Sequence, residues 1–235
     1  MPAPAVSIIV PTYNEAAGIA ELVRYLRTVP GADAAEIVVA DGQSTDGTAE
    51  VAAAAGARVL RCPQRGRAPQ MNHGARHARA GLLYFLHADT YPPPDFLARI
   101  HEAVARGCGS GCFRLRFDDG HWFLRLSAWC TRFSLDAIRF GDQSLFVRRP
   151  VFEQAGGFRA DMVVFEDQEI IGRLRRFGRF GLLPAAVVTS ARKYRDNGVF
   201  RLQGIFLLIC LLYRLGLPQR RLRAVYRALI QQDKL

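Results

Sequence analysis

The first half of the chain alternates short β-branched runs with stretches of helical periodicity, and this alternation limits the fold more than any other feature. Four apolar runs read as buried strands, at residues 6–10, 36–40, 57–61 and 82–86. Helical patterns follow them, at residues 15–28, 44–55, 69–80 and 95–106. Ser44 or Thr45 is expected to cap the second helix. Strands separated by helices are joined by right-handed crossovers, so the pattern predicts a parallel sheet covered by helices.

The second half of the chain is less regular. Strands are predicted at residues 112–117, 144–147 and 180–189, and helices at residues 121–135 and 167–177. Trp122, Phe123 and Trp129 are helically spaced, and we expect them in the core rather than as a platform for stacking a sugar.

One uncharged stretch near the end of the chain bears on membrane contact. Residues 202–213 lie between Arg201 and Arg214 and number only 12, whereas a membrane-spanning helix needs about 20 residues. The sequence therefore predicts no crossing. It leaves open a buried core helix, a helix at a membrane surface and a dimer-forming helix.

Composition narrows the class of protein. The chain has 235 residues, half of them hydrophobic, which suits one large domain and excludes a disordered or fibrous protein. The formal net charge is +11, and residues 192–235 carry 10 basic against 2 acidic side chains. Such a basic tail can meet anionic lipid, nucleic acid or a phosphorylated ligand.

The cysteines and the first residues indicate the cellular setting. The five cysteines form no CxxC pair, so we expect neither a disulfide framework nor a structural zinc site. The opening MPAPAVSIIVPTYN lacks the basic start of a signal peptide. We therefore expect a reducing, cytoplasmic setting.

Polar clusters follow three of the predicted strands. They are residues 11–15, 41–47 and 87–89. In an open α/β sheet, ligands bind beyond the carboxyl ends of the strands, so these loops are expected to meet at one site. The chain has neither GxGxxG after the first strand nor a P-loop, so any nucleotide must be held in another way.

These segments carry a family resemblance. SIIVPTYNE, EIVVADGQSTDGT and GRAPQMNHGARHARAGLLYFLHADT resemble the nucleotide-binding half of family 2 glycosyltransferases. FGDQSLFVRRPVFEQAGGF and FEDQEIIGRLRRFG resemble the acceptor-side half. The resemblance runs from about residue 5 to residue 192. Within the family, the chain is similar to a small bacterial branch that carries a GDQ segment.

The resemblance implies a GT-A fold, which is a Rossmann-like, mostly parallel sheet flanked by helices. It divides the chain into a glycosyltransferase domain and a basic, amphipathic helical tail. The domain covers residues 1–192, with a nucleotide-binding half (1–110) and an acceptor half (111–192), and the tail covers residues 193–235.

The resemblance also assigns donor-binding roles. The loop around the nucleoside is matched by Pro11, Thr12, Tyr13 and Glu15, and the acid that reads the base is matched by Asp41. Arg67 and Asn72 match the segment near the base and ribose. His87, Ala88 and Asp89 occupy the family's DxD position, where His87 replaces the first aspartate.

The remaining roles concern the metal and the reaction. Asp89 keeps the metal-ligand role, for Mg²⁺ or Mn²⁺, because a carboxylate and diphosphate oxygens can share such an ion. The ED pair, Glu166 and Asp167, places the general base at Asp167. Donor-sugar or acceptor contacts are expected from Gly141, Asp142 and Gln143, for which a simple turn is the alternative. Diphosphate contacts are expected from Arg192 and Lys193, for which a solvated basic loop is the alternative.

The leading hypothesis is a metal-assisted, inverting glycosyltransferase that uses a nucleoside-diphosphate sugar, with UDP expected as the nucleotide. A lipid-linked acceptor, peripheral contact with the inner face of a membrane and a homodimer belong to the same hypothesis, which includes no nucleic acid. The alternatives are a non-catalytic nucleotide-sugar binder and a basic nucleic-acid-binding protein, for which no binding motif is present.

Overall fold

The computed structural model describes residues 4–133 and 143–230. Gly141 and Asp142 lie outside the described residues. The strands are β1 (Val6–Thr12), β2 (Ala35–Asp41), β3 (Arg58–Arg61), β4 (Leu82–Phe85), β5 (Thr90–Tyr91), β6 (Cys108–Phe117), β7 (Leu145–Arg148) and β8 (Arg179–Thr189).

The helices match the predicted alternation in the first half. They are α1 (Ala16–Thr28), α2 (Thr48–Ala54), α3 (Arg67–His77), α4 (Phe96–Ala105), α5 (Trp122–Cys130), α6 (Arg149–Gln154), α7 (Glu166–Leu174), α8 (Arg192–Asn197), α9 (Val199–Arg214) and α10 (Gln219–Leu229). A short 3₁₀ helix, Ala32–Ala34, precedes β2.

The strands form one mixed sheet in the order β3-β2-β1-β4-β7-β6-β8-β5. Strand β1 pairs in parallel with β2 and β4, β2 with β3, and β6 with β8. Antiparallel pairs join β4 to β7, β7 to β6, and β8 to β5. The predicted α/β class with a mostly parallel sheet is confirmed.

The sheet is buried on both faces because helices pack against each side. Along β1, Ile8 and Val10 belong to one apolar cluster, whereas Ile9 belongs to the cluster on the other face. This alternation is the two-residue period of a strand. It explains why the central strands are continuous apolar runs rather than alternating ones.

The cap of α2 differs from the prediction. Asp46 Oδ1 accepts hydrogen bonds from the Thr48 amide at 3.0 Å and from the Thr48 hydroxyl at 2.5 Å. Ser44 instead donates to Asp41. The left-handed backbone of Gln43 and Gly47 turns the loop, so that Asp46 rather than Ser44 or Thr45 reaches the start of the helix.

Helices α9 and α10 pack together on the loop before α7. Helices α9 and α10 share an apolar cluster with that loop, in which Leu202, Ile209 and Leu222 pack with Val164. Within residues 4–133 and 143–230, no helix has both the length and the apolar character that crossing a membrane requires.

The expectation that Trp122 and Trp129 lie in the core is wrong. Their exposed fractions are 62% and 47%, and Phe123 is only half-buried. Leu124 is the buried residue of α5, so this helix touches the domain through a narrow strip and presents its aromatic side chains outward.

Candidate active site

A cleft opens where the carboxyl ends of β1, β4 and β8 meet α3, α8 and α9. Its walls come from residues far apart in the chain: Pro11, Thr12, Tyr13, Glu15, Arg67, Gln70, His87, Ala88, Asp89, Thr189, Ser190, Arg192, Lys193, Tyr194 and Phe206. Ten of the predicted site residues are among them. The cleft therefore lies at the predicted sheet edge.

The loops after β1 and β2 hold each other in place. The Asn14 amide donates to Ser44 Oγ at 2.9 Å, and the Glu15 amide donates to Thr48 Oγ1 at 2.8 Å. The Thr45 amide donates to Asn14 Oδ1 at 3.0 Å. These contacts fix the segment from Pro11 to Glu15 along one wall of the cleft.

Asp41 ends β2 in a buried polar network. Its carboxylate accepts hydrogen bonds from Ser44 Oγ at 2.5 Å, the Ser44 amide at 3.1 Å and Thr12 Oγ1 at 3.3 Å. Only 2% of Asp41 is exposed. Thr12 thus joins Asp41 to the cleft wall.

Gln70 is a cleft residue that the sequence reasoning did not select. Its Nε2 donates to the carbonyls of Thr12 at 2.8 Å and Ala40 at 2.7 Å, and its Oε1 accepts from the Gly66 amide. The side chain therefore ties α3 to the ends of β1 and β2. The sequence signal that could have indicated Gln70 is its position within GRAPQMN, between Arg67 and Asn72.

The loop of His87, Ala88 and Asp89 is held between β4 and β5. The Asp89 carbonyl accepts from the Ser190 amide at 3.1 Å, and the Thr90 and Thr189 hydroxyls lie 2.9 Å apart. The two-residue strand β5 pairs with the end of β8. This pairing fixes Asp89 in the cleft wall.

The acidic pair stands at the start of α7. The preceding Phe165 has a φ of 64°, a left-handed conformation uncommon for a residue with a side chain. Glu166 is buried and its Oε1 has no hydrogen-bond partner, whereas Asp167 is half-buried.

The charge state of Glu166 reflects this position. The pKa of its carboxyl is raised to about 7, mainly by burial and next by the neighbouring Asp167, while Arg67 and His87 act in the opposite direction. Arg67 and His87 both line the cleft. The start of α7 therefore lies within electrostatic range of the cleft wall.

Two basic side chains after β8 also line the cleft. Arg192 lies with Nη2 3.7 Å from Glu15 Oε2, and Lys193 Nζ donates to the Tyr226 hydroxyl at 3.0 Å. Arg192 thus bridges toward the β1 loop, and Lys193 is anchored by α10. Arg195 points elsewhere, to Asp118 at 3.2 Å.

Two further predicted residues lie away from this cleft lining. Asn72 donates to the Phe158 carbonyl at 2.7 Å and accepts from the Phe158 amide at 2.9 Å, and it lines a separate, smaller cleft. Gln143 is buried and donates to the Phe113 carbonyl at 3.1 Å. Both amides hold backbone segments together, which their sequence motifs did not reveal.

The side chains of the cleft set limits on a metal site. Asp89 supplies one carboxylate, and His87 stands in the same loop. Among the described residues, no three His, Cys, Asp or Glu side chains are grouped as a ligand set. The residues thus fit a divalent cation shared with diphosphate oxygens, and they do not form a closed protein cage.

Three curated relatives have similar sequences. An uncharacterized protein MT1568 of Mycobacterium tuberculosis (strain CDC 1551 / Oshkosh) is 30% identical over 73% of this chain and 62% of its own. The succinoglycan biosynthesis protein ExoA of Rhizobium meliloti is 28% identical over 73% and 58%. This chain thus spans about three fifths of their length. An undecaprenyl-phosphate 4-deoxy-4-formamido-L-arabinose transferase of Edwardsiella ictaluri is 32% identical over 43% and 34%.

Two solved structures have the same fold. The mannosyltransferase PcManGT of Pyrobaculum calidifontis, in complex with GDP-Man and Mn²⁺, has a TM-score of 0.71 and 24% identity over 96% of this chain and 70% of its own. Glucosyl-3-phosphoglycerate synthase of Mycobacterium tuberculosis, with Mn²⁺, UDP and glucosyl-3-phosphoglycerate, has a TM-score of 0.62 and 18% identity over 92% and 81%.

The family model described as glycosyl transferase family 2 matches residues 7–160. That segment contains the loops after β1, β2 and β4 and most of the sheet. The chain belongs to glycosyltransferase family 2.

Proposed function

We propose that this chain is an inverting glycosyltransferase that transfers a sugar from a nucleoside-diphosphate sugar to an acceptor hydroxyl. One observation carries the proposal: a single cleft gathers the loops after β1 and β4 with Asp89 and the basic side chains of Arg67, Arg192 and Lys193. Glu166 and Asp167 stand at the start of α7, and Arg67 and His87 of the cleft wall influence the pKa of Glu166.

The donor fits the loops of the cleft. The segment from Pro11 to Glu15 and the buried Asp41 network border the nucleoside, and Arg67 stands at the start of α3. Arg192 and Lys193 supply the positive charge that a diphosphate leaving group requires. Gly141, Asp142 and Gln143 stay candidates for sugar or acceptor contacts by family resemblance alone.

Asp89 would hold a divalent cation, Mg²⁺ or Mn²⁺, together with the donor. Such an ion neutralises charge on the diphosphate when it is bound. His87 would orient the same loop, because both residues belong to the short connection from β4 to β5.

Asp167 is the proposed general base. A carboxylate within hydrogen-bond reach of the acceptor hydroxyl takes its proton as the oxygen attacks the anomeric carbon, which contributes about 10²–10⁴ in rate. One base and one in-line displacement invert the anomeric centre. Glu166, buried beside it and with a raised pKa, stays protonated over much of the acidic range and so limits repulsion between the two carboxyl groups.

The neighbours guide the choice of donor and acceptor. PcManGT was solved with GDP-Man, and the glucosyl-3-phosphoglycerate synthase with UDP, so UDP-sugars are tested first and GDP-sugars second. The similarity to an undecaprenyl-phosphate transferase favours a lipid-linked acceptor, and therefore work at a membrane surface.

The test is calorimetric titration of the protein with a panel of UDP- and GDP-sugars, with and without Mn²⁺, followed by an assay for released nucleoside diphosphate. We expect one donor to bind in a Mn²⁺-dependent manner and to be turned over slowly with water as acceptor. Binding without turnover for any acceptor would favour a non-catalytic nucleotide-sugar binder, and the absence of all binding would refute the proposal.

A further inference from the structure

Helices α5 and α9, which lie on one side of the molecule, carry apolar side chains that are exposed to solvent. On α5 these are Trp122, Leu126 and Trp129, with exposed fractions of 62%, 49% and 47%. They recur at steps of four and three residues, so they form one stripe along the helix. Both tryptophans of the chain stand in this stripe.

Helix α9 carries a second stripe. Phe200, Leu207 and Leu211 are exposed by 59%, 70% and 54%, and Leu215, directly after the helix, by 74%. Leu202, Ile205 and Ile209 on the other side of the helix are buried. The helix therefore has one apolar side that packs on the protein and another that faces outward.

The two stripes meet in space. The Phe200 ring lies 6.1 Å from the Trp122 ring and 5.4 Å from the Phe123 ring, measured between centroids. We call the combined surface of these two stripes the aromatic-leucine face. Patches of exposed apolar groups of this kind mark sites of interaction with proteins or membranes.

The positive charge around this face favours an anionic partner. Residues 120–133 and 197–230 contain eight arginines and no aspartate or glutamate. Arg132 stacks on the Trp129 ring at 4.6 Å, and Arg125, Arg201 and Arg214 are exposed on the same two helices. Exposed tryptophan and leucine side chains with arginines around them have the chemistry that binds an anionic bilayer surface.

The aromatic-leucine face also adjoins the cleft. Phe206 lines the cleft, and Leu207 and Leu208, the next two residues of α9, are exposed. Tyr194, another residue of the cleft wall, has its ring 6.3 Å from that of Phe206. One helix therefore borders the cleft on one side and carries the exposed leucines on the other.

We infer that the aromatic-leucine face docks on an anionic lipid bilayer and that the membrane then lies next to the α9 wall of the cleft. The contact with the bilayer does not depend on the transfer reaction. The role of this contact, which is to deliver a lipid-linked acceptor along Phe206 to the cleft, rests on the proposed function.

Tryptophan fluorescence tests this docking directly because both tryptophans belong to the face. Vesicles of phosphatidylglycerol at low salt should shift the emission to the blue and carry the full chain upward in flotation. Phosphatidylcholine vesicles at the same lipid concentration should do neither. High salt should weaken the binding, because the arginine contribution is screened.

In the double variant Leu207→Glu, Leu211→Glu, the partition coefficient into anionic vesicles should fall by about tenfold or more. The variant loses two apolar contacts and gains two negative charges. Both positions are exposed in the free protein, so the fold should be retained. Phe177→Glu is the matched control, since Phe177 is 43% exposed and precedes β8 at the end of that strand remote from the cleft. It should bind vesicles as the unaltered protein does.

Several outcomes overturn the inference. One is the absence of both blue shift and flotation with anionic vesicles, and another is equal vesicle binding by the double variant. A third is a lipid-free dimer that the double variant converts to monomer, since a second copy would then occupy the face. Nucleotide-sugar binding by the same variants is measured separately, so a failure of docking is distinguishable from a failure of the proposed function.

Discussion

Gln219 and Val164 exchange two hydrogen bonds between the start of α10 and the loop before α7. Gln219 Oε1 accepts from the Val164 amide at 3.2 Å, and its Nε2 donates to the Val164 carbonyl at 3.4 Å. The same oxygen accepts from the Val163 amide at 2.9 Å. Val164 stands two residues before Glu166, so α10 holds the segment that leads into the acidic pair.

Replacement of Gln219 by alanine should loosen this segment. We expect slower donor hydrolysis with nearly unchanged donor affinity, because the altered contacts are on the α7 side of the cleft and leave the donor loops intact. The measurement is nucleotide release compared with calorimetric donor binding. Arg220→Ala, at the exposed next position of α10, is the control; equal loss of rate in both variants would exclude a specific role of Gln219.

Glu166 should make the stability of the fold depend on pH. Its pKa is raised in the folded state to about 7, first by burial and then by Asp167, so the folded protein binds this proton more tightly than the unfolded chain does. The contribution to stability is present below the unfolded pKa and is lost as pH rises through about 7.

Thermal unfolding between pH 5 and pH 8 checks this sign when the unaltered chain is compared with Glu166→Gln. The glutamine mimics the protonated acid, so the variant should lose less stability than the unaltered chain as pH rises. Parallel curves for the two proteins would show that Glu166 does not titrate differently on folding.

Gly74 is predicted to be intolerant of a side chain. A Cβ at this position of α3 would lie 2.5 Å from Ile9 Cγ2 on β1, so Gly74→Ala should destabilise the protein by about 1–3 kcal/mol through overpacking. Gly172→Ala is the matched control, because a Cβ there meets nothing within 4 Å. It should stabilise α7 by about 0.5–1 kcal/mol.

Chemical denaturation of the two glycine variants gives both values. Equal stabilisation by the two substitutions would mean that α3 does not pack on β1 as closely as described. Gly74→Ala should also weaken donor binding, because α3 carries Arg67 and Gln70 into the cleft.

Asp89→Asn should abolish the part of donor affinity that depends on Mn²⁺ while leaving the midpoint of thermal unfolding almost unchanged. The reason is that Asp89 supplies a carboxylate of the cleft wall, whereas its loop is held through backbone contacts. Glu102→Gln, at an exposed position of α4, is the charge-matched control. Donor titrations in Mn²⁺ and in a chelator would reveal the difference, and retained Mn²⁺ dependence in Asp89→Asn would contradict the assignment.

The sequence predicted the first half of the fold well because local patterns are strong there. The apolar run that forms β1, its polar end at Pro11 and the helix after it are all local signals. Since parallel strands bring their carboxyl ends to one edge, the meeting of the β1 and β4 loops follows from topology. The family and its GT-A fold, inferred from the same segments, are confirmed.

The packing of α9 and α10, and the contacts of the buried amide side chains, could not be predicted in this way. The contact of Gln219 with Val164, like that of Asn72 with Phe158, depends on residues 55 and 86 positions apart. The outward position of Trp122 depends on what covers α5, which helical spacing alone does not encode. The break between α8 and α9 rests on the positive φ of Gly198, a single residue in an otherwise continuous pattern.

The role of Asp167 as general base is tested most directly by comparing the unaltered chain with Asp167→Asn, using the donor identified by titration. We expect the rate of nucleoside diphosphate release to fall by about 10²–10⁴, with donor affinity in Mn²⁺ unchanged. Release at the original rate by Asp167→Asn would show that Asp167 is not the base.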